Sequence, residues 1–233
     1  MLPEVIIISG TGAPPFGIRH YPYAGLIRRF EQAGYVVHLE NIYHLGIDRM
    51  DRSLSHLQRR YFSPQDRRCY IVCGHSQGGL LALALANEYP NRVTSVEIFG
   101  TPLYGTRIAP IWLPLPAVRA MNNRSRWLKE LRGHENLDPT KVHSYFSALD
   151  VLVVPWVASM VKDGHNYLVL PSQIEGMVLA AGRAMLGDRI EEVEILHGTT
   201  GHIGLVTHPT VLDSVTQRHP VVGEFSNLAI VAS

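Results

Sequence analysis

The sequence predicts an α/β protein with a mostly parallel central sheet that helices cover on both faces. Short apolar runs alternate with amphipathic segments along the 233 residues. Strands of a parallel sheet are apolar throughout because helices bury both of their sides. No apolar run reaches the roughly 18 residues that cross a bilayer. With roughly 150 residues per domain as a guide, the length suits one large domain, 1–233.

Apolar runs place the strands, and helical spacing places the helices. Val5–Ser9 is β-branched and ends at Gly10, which is typical of a buried strand. Further strands are predicted at Tyr35–Leu39, Tyr70–Cys73, Val93–Phe99, Val142–Leu149 and Val193–His197. Helices are predicted at Tyr23–Gln32, which Gly34 is placed to stop, at Arg52–Tyr61, and at Gln77–Tyr89, which Pro90 ends.

Two stretches interrupt the alternation of strands and helices. Segment 103–136 is long and proline-rich, with a basic helical stretch around Arg124–Arg132, and is predicted to be a lid or cap. Its apolar residues Trp112, Leu113 and Leu115 are candidates for a wall that binds an acyl chain, although they could equally pack as ordinary core. Pro155–Asp188 is expected to hold one or two apolar helices.

Charge and cysteine content exclude several functions. The chain has 21 basic and 20 acidic residues, so no concentrated positive charge indicates nucleic acid or an anionic membrane as a partner. Cys69 and Cys73 lie four residues apart in a predicted strand, about 13 Å, and are expected to be free thiols. Free thiols and the lack of a visible signal peptide favour the cytoplasm; a secreted protein is the alternative if the natural start lies upstream.

The clearest motif is Gly74-His75-Ser76-Gln77-Gly78-Gly79, which matches G-x-S-x-G. A predicted strand precedes it and a helix rich in leucine and alanine follows it, as a nucleophile elbow requires. The serine of such a turn has an unfavourable backbone conformation, and the glycines let strand and helix approach closely. The motif predicts Ser76 as a nucleophile, with His75 beside it as a packing residue whose ring nitrogens are satisfied.

A serine nucleophile needs a base and an orienting carboxylate, which follow it in the order acid, histidine. Asp150 ends a strand-like run and is the predicted acid; a helix N-cap is its alternative role, and Asp163 is the reserve. His202 lies in a small-residue loop after the last strand and is the predicted base, with His197 as its rival and His208 as a surface or helix-start residue. The spacing of these three histidines matches no metal site, so no metal is predicted.

Acyl transfer also needs hydrogen-bond donors for the oxyanion. One donor is predicted to be the backbone N–H of Gln77, which follows the nucleophile. A second is expected from the glycine-containing loop 9–14 after the first strand. A phosphate-binding loop is excluded there because no Gly-Lys-Ser/Thr follows.

These motifs resemble those of the α/β-hydrolase lipases. Gly10-Thr11-Gly12, Ser76-Gln77-Gly78-Gly79 and Tyr145–Asp150 are similar to the fungal lipase B type, over about half of the chain. The resemblance implies Thr11 as an oxyanion donor and Ser76, Asp150 and His202 as a catalytic triad. Phe146 is an extra residue in the acid loop, and His75 stands where the lipase B type has tryptophan.

The expected function is therefore hydrolysis of hydrophobic carboxylic esters through an acyl-enzyme, without a cofactor, on a small-molecule or lipid ester. Acyl transfer or thioester hydrolysis with the same triad is the alternative. A non-catalytic binding protein on a hydrolase scaffold is a third possibility. The sequence leaves acyl length and oligomeric state open.

Overall fold

A computed structural model describes residues 2–10, 21–41, 49–107, 119–133 and 137–220. Seven parallel strands form one sheet in the order β2-β1-β3-β4-β5-β6-β7. The strands are β1 Glu4–Ile8, β2 Val37–Glu40, β3 Tyr70–His75, β4 Val93–Phe99, β5 Val142–Ser147, β6 His165–Leu170 and β7 Val193–His197. The predicted α/β class with a parallel central sheet is confirmed.

Six α-helices within the described ranges cover both faces of this sheet. They are α1 Ala24–Gln32, α2 Met50–Tyr61, α3 Gln77–Glu88, α4 Arg126–Gly133, α5 Glu175–Leu186 and α6 Pro209–Arg218. Strand β1 shows why both faces need cover: Ile6 and Ile8 join the core on the side of α2 and α3, whereas Val5 and Ile7 join the core on the side of α1 and α6. No helix in the described part of the chain is long and apolar enough to cross a membrane.

The prediction for Pro155–Asp188 is wrong in one respect, because a strand lies there as well as a helix. Strand β6 pairs with β5 from His143↔His165 to Ser147↔Val169, and α5 follows it. The apolar run of β6 has the length of a strand. Helix α5 covers one face of this strand, and Leu168 of β6 and Val178 of α5 belong to the same buried cluster. A short apolar run can be a buried strand or part of a buried helix, and here burial between two strands decides.

The described part of segment 103–136 packs on the body of the protein. Leu128 and Leu131 of α4 are buried in the core beside α3. The side chain of Arg132 donates to the carbonyl of Leu103 at 3.1 Å. The apolar residues 108–118 lie outside the described residues, so a lid in this segment stays a prediction.

A buried carboxylate fixes the end of α6 to the middle of the sheet. Glu97 of β4 is fully buried and accepts hydrogen bonds from Arg218 at 3.0 Å and His219 at 2.9 Å. Burial alone would raise the pKa of Glu97, but these two partners hold it below its ordinary value. The pair therefore anchors the helix that follows the loop of His202.

The order of the strands creates a natural place for a site. The chain runs from β1 outwards to β2, returns to β3 and then continues in one direction to β7. At this reversal, α1 and α3 leave β1 and β3 towards opposite faces of the sheet. Crevices at the carboxyl ends of strands beside such a reversal are where α/β proteins bind ligands.

Candidate active site

Ser76 occupies a strained turn between β3 and α3. Its φ is 54° and its ψ is −121°, a positive-φ conformation that residues other than glycine rarely adopt. The turn is held because the N–H of Ser76 donates to the carbonyl of Phe99 at 2.7 Å, and the N–H of Gly79 donates to the carbonyl of Ser76 at 3.1 Å. This is the geometry that the nucleophile-elbow motif predicts.

Glycines are required around this turn because backbone approaches them closely. A Cβ added at Gly78 would lie 2.4 Å from the carbonyl oxygen of Ile8, and one at Gly74 would lie 2.5 Å from the Cα of Gly79. Helix α3 is therefore pressed against the end of β1, as the motif predicts. A Cβ at Gly10 would lie 3.0 Å from the Cβ of Ser76, so the backbone after β1 passes directly beside Ser76.

Asp150 and His202 meet although they follow different strands. Asp150 lies three residues after β5 and His202 lies in the loop after β7. The Nδ1 of His202 is 2.7 Å from the Oδ2 of Asp150, and both side chains are more than nine-tenths buried. The other oxygen of Asp150 accepts from the backbone N–H groups of Leu152 at 2.8 Å and Val153 at 2.9 Å.

This arrangement sets the proton positions on His202. Two of the three partners of Asp150 are backbone N–H groups, and a carboxylate that accepts from both of them with one oxygen leaves Nδ1 of His202 to donate to the other oxygen. Nδ1 of His202 is then the nitrogen that carries hydrogen, and Nε2 is the nitrogen that can take up a proton. The pairing of Asp150 with His202 matches the geometry that an orienting acid and a general base would need.

Gly100 is a residue of the site that the sequence interpretation did not identify. It follows β4 with a φ of +53°, and an added Cβ would lie 2.8 Å from Nδ1 of His202 and 3.2 Å from Oδ2 of Asp150. The acid and the base can pair only because this position has no side chain. A glycine directly after a predicted strand was the available signal.

His75 has the satisfied ring that the sequence predicts, and it also contacts His202. Its Nε2 lies 3.1 Å from the carbonyl oxygen of His202, its Nδ1 lies 3.1 Å from the hydroxyl of Tyr23, and its ring centroid lies 4.8 Å from that of His202. Burial, and then the positive charge of a protonated His202, lower the pKa of His75 from 6.5 to about 3. His75 therefore stays neutral over the working range of most enzymes.

The alternative residues lie away from this cluster. His197 is at the exposed end of β7, 3.2 Å from the hydroxyl of Ser172 and 3.8 Å from Glu175. His208 occupies the N-cap position of α6, without a capping hydrogen bond from its side chain, and this confirms its helix-start assignment. Asp163 is exposed in the turn before β6, beside Lys162. Within the described ranges, no group of three histidine, cysteine or acidic residues could hold a metal ion.

The predicted oxyanion and acyl-binding residues are described only in part. Gln77 is the first residue of α3, where the helix dipole favours negative charge. Thr11 and the candidate acyl-wall residues Trp112, Leu113 and Leu115 lie outside the described residues. Cys69, which immediately precedes β3, and the buried Cys73 are both free thiols, as predicted.

Comparison with known proteins supports the class of this site. A model of the Esterase family matches residues 54–145, which include Ser76 and the strands on either side of it. No curated protein sequence matches the chain. The matched region is less than half of the chain, and it ends before Asp150 and His202.

Solved structures extend the similarity to the whole fold. Lipase B of Aspergillus fumigatus superposes with a TM-score of 0.66 at 19% identity, over 97% of this chain and 54% of that chain. One of the metagenome-derived lipolytic enzymes LipS and LipT gives 0.57 at 14% identity, over 92% of both chains. The thioesterase domain of the curacin biosynthetic pathway gives 0.53 at 13% identity, over 92% of this chain and 90% of that one.

The α/β-hydrolase fold predicted from the motifs is therefore confirmed, together with the predicted resemblance to lipases and esterases. The chain spans about half of the length of the Aspergillus lipase. At these identities, the solved structures establish the fold, and the matched family model points to ester hydrolysis.

Proposed function

We propose that this α/β-hydrolase is a serine carboxyl-ester hydrolase that uses Ser76 as nucleophile, His202 as base and Asp150 as orienting acid. The observation that carries the proposal is the hydrogen bond of 2.7 Å between His202 and Asp150, in a cluster that contacts His75, the residue before the strained Ser76. The Esterase family model that spans Ser76 supports the same class of reaction.

The reaction proceeds in two acyl-transfer steps. His202 takes the proton of Ser76 while the serine oxygen bonds to the ester carbonyl carbon, and the carbonyl electron pair moves onto its oxygen. The oxyanion then collapses, the bond to the alcohol oxygen breaks, and His202 gives its proton to the leaving alcohol. A water molecule repeats the attack on the acyl-serine with His202 as base, and the acid leaves as the serine recovers its proton.

The oxyanion is proposed to bind at the backbone N–H groups of Gln77 and Thr11. Gln77 lies at the positive end of α3, and Thr11 directly follows Gly10, which passes beside Ser76. A donor of this kind contributes about 3 kcal/mol to stabilisation of the transition state. Hydrophobic acyl groups are the proposed substrates, because the apolar sequence of residues 108–116 follows the strand beyond the elbow.

The proposal is tested with a fluorophosphonate probe and a series of nitrophenyl esters of increasing acyl length. The wild-type chain should be labelled once, and it should hydrolyse at least one ester of the series. Ser76→Ala should keep the fold, measured by circular dichroism, and lose both labelling and hydrolysis. Labelling or hydrolysis that persists in Ser76→Ala would refute the assignment.

A further inference from the structure

We infer that His75 is a positioning residue which, with Tyr23, ties the loop of the catalytic base and the segment beside the nucleophile into one hydrogen-bonded chain of fixed direction. This inference rests on the proposed function, because the groups that it positions are the proposed catalytic ones. The series of hydrogen bonds runs from the N–H of Gly10 through the side chains of Tyr23 and His75 to the carbonyl of His202.

The direction of the chain follows from its two ends. At one end, the backbone N–H of Gly10 can only donate, and it lies 3.0 Å from the hydroxyl oxygen of Tyr23. At the other end, the carbonyl of His202 can only accept, and it lies 3.1 Å from Nε2 of His75. His75 must therefore carry its hydrogen on Nε2, which leaves Nδ1 to accept from the hydroxyl of Tyr23 at 3.1 Å.

Burial makes this arrangement costly to change. Tyr23 is 2% exposed and His75 is 6% exposed, so water does not readily replace a lost partner. A buried donor or acceptor without a partner is penalised by its full desolvation cost. Reversal of the tautomer of His75 would turn two lone pairs towards each other at the carbonyl of His202. The environment therefore selects one tautomer.

The residues that this series of hydrogen bonds connects come from distant parts of the sheet. Gly10 follows β1, His75 ends β3, and His202 follows β7, which lies four strands beyond β3. At a strand spacing of about 4.8 Å, the base loop must reach across about 19 Å of sheet. Ser147 and Asp150 hold this loop where it passes β5. His75 holds its far end directly beside Ser76.

A neutral His75 also suits the charge that develops during the reaction. The rings of His75 and His202 are only 4.8 Å apart, so two imidazolium ions there would repel each other. Because His75 uses both nitrogens in hydrogen bonds while neutral, His202 alone can gain the proton of the nucleophile. His75 thus positions the base without competing with it.

The test compares Tyr23→Phe, His75→Ala and His75→Gln with the wild-type chain. Glutamine keeps one donor and one acceptor at the end of its side chain, whereas alanine keeps neither. Tyr70→Phe is the matched control: Tyr70 is also buried and also bonds one side chain, Asp66, but it begins β3, about 20 Å from Ser76 along the strand. Fluorophosphonate titration of active sites in each variant corrects every kcat for misfolded protein.

We expect Tyr23→Phe to lower kcat per active site about tenfold, with KM within about twofold, because the variant loses both hydrogen bonds of one buried hydroxyl. His75→Ala should lose more activity, and His75→Gln should recover at least tenfold relative to it. Tyr70→Phe should keep the wild-type kcat whatever its thermal stability. Wild-type kcat per active site in both Tyr23→Phe and His75→Ala would overturn the inference, as would equal losses in the alanine and glutamine variants.

A second measurement requires no turnover. Long-range proton–nitrogen spectra of the imidazole groups should show His75 as the Nε2–H tautomer in the wild-type chain and in Tyr23→Phe, with the Nδ1 nitrogen signal of His75 shifted in that variant because Nδ1 loses its donor. The Nδ1 proton signal of His202 should be present in the wild type and weakened in that variant. An Nδ1–H tautomer for His75 would overturn the inference. If the wild-type chain gives the expected spectra but neither hydrolyses esters nor reacts with the fluorophosphonate probe, the proposed function is overturned and the positioning role of His75 is not.

Discussion

The carboxylate of Asp150 orients His202 with one oxygen while the backbone holds the other oxygen in place. Oδ2 lies 2.7 Å from Nδ1 of His202, and Oδ1 accepts two backbone N–H groups from the turn that follows. The acid therefore cannot rotate without losing two hydrogen bonds. The base of the proposed reaction is consequently oriented by the backbone of residues 152 and 153, through a single side chain.

This arrangement predicts a large effect for Asp150→Asn. The amide oxygen of asparagine would keep the bonds from Leu152 and Val153, so its NH₂ group would point at Nδ1 of His202. That nitrogen would then have to accept, and the hydrogen would move to Nε2, the nitrogen that must receive the proton of Ser76. We expect kcat to fall by about 10³ to 10⁴ with the fold intact, as the equivalent change does in serine proteases.

The measurement is steady-state hydrolysis of a nitrophenyl ester, with Asp163→Asn as the control. Asp163 is an exposed aspartate in the turn before β6 and should tolerate the same change. A loss of less than about tenfold in Asp150→Asn would show that Asp150 does not set the tautomer of the base.

The strained backbone of Ser76 predicts that activity and stability oppose each other at this position. Glycine adopts positive φ readily, whereas alanine retains the strain of serine. Both substitutions should abolish hydrolysis, but Ser76→Gly should be more stable than Ser76→Ala by about 1 kcal/mol. Urea unfolding of the two variants measures the difference. Equal midpoints would mean that the turn stores no strain at Ser76.

The close approach of β1 to α3 predicts that Gly78→Ala disrupts the site. The added Cβ would lie 2.4 Å from the carbonyl oxygen of Ile8 and 2.6 Å from that of Ser9. Both are backbone atoms at the end of β1, so relieving the clash would require a shift of the backbone that costs stability. We expect a loss of at least about 2 kcal/mol of stability, together with loss of activity.

Gly176→Ala is the matched control for that experiment. Gly176 lies in α5, and an added Cβ there would meet nothing within 4 Å. The same chemical change should stabilise the protein by about 0.5 to 1 kcal/mol, because alanine favours helix. Thermal melts of both variants check the pair, and a tolerated alanine at position 78 would contradict the close contact between α3 and the end of β1.

The depressed pKa of His75 predicts a dependence of stability on pH. Its pKa is about 3 in the folded chain, owing to burial and then to His202, against an ordinary 6.5. Between these pH values, the unfolded chain binds a proton at this residue that the folded chain does not bind. The free energy of unfolding should therefore decrease as pH falls below 6.5, by up to about 1.4 kcal/mol per pH unit from this group.

His75→Gln should remove that contribution, so the stability difference between variant and wild type should shrink or reverse as the pH is lowered from 7 to 4. Urea unfolding at several pH values provides the measurement. Parallel stability curves for the two proteins would show that His75 takes up protons equally in its folded and unfolded states.

The buried pair of Glu97 and Arg218 predicts that α6 depends on a charge contact. Arg218→Ala would leave the carboxylate of Glu97, which is fully buried, with a hydrogen bond from His219 but without its guanidinium. We expect a loss of about 2 to 3 kcal/mol, less than a fully buried pair would cost, because Arg218 is partly exposed. Arg183→Ala, which breaks an exposed pair with Glu191, should cost less than about 1 kcal/mol in the same denaturant assay.

The sequence predicts the positions that depend on local rules. The elbow at Ser76 follows from glycine spacing and from the strand and helix around it, and Asp150 and His202 follow from chain order beyond strand ends. The structure brings this acid and base together, while their catalytic roles remain predictions until the variants are measured.

Other features depend on tertiary contacts, which local patterns do not reveal. Strand β6 lies in a segment whose sequence predicts only helices, because a short apolar run has no period of its own until neighbouring strands bury it. Gly100 matters only because His202 and Asp150 meet against it. The hydrogen bond between His75 and Tyr23 joins residues 52 positions apart, and the sequence around either residue does not predict it.

Because the site is assembled from the ends of β3, β5 and β7, it is complete only late in the synthesis and folding of the chain. Its proposed reacting groups are spread over more than half of the polypeptide, from Ser76 to His202, and no contiguous fragment short of that span holds them all. A chain still emerging from the ribosome would therefore lack part of the site until residue 202 has been released. The proposed esterase turnover would therefore report completed folding, because it requires the loop that follows the last strand of the sheet.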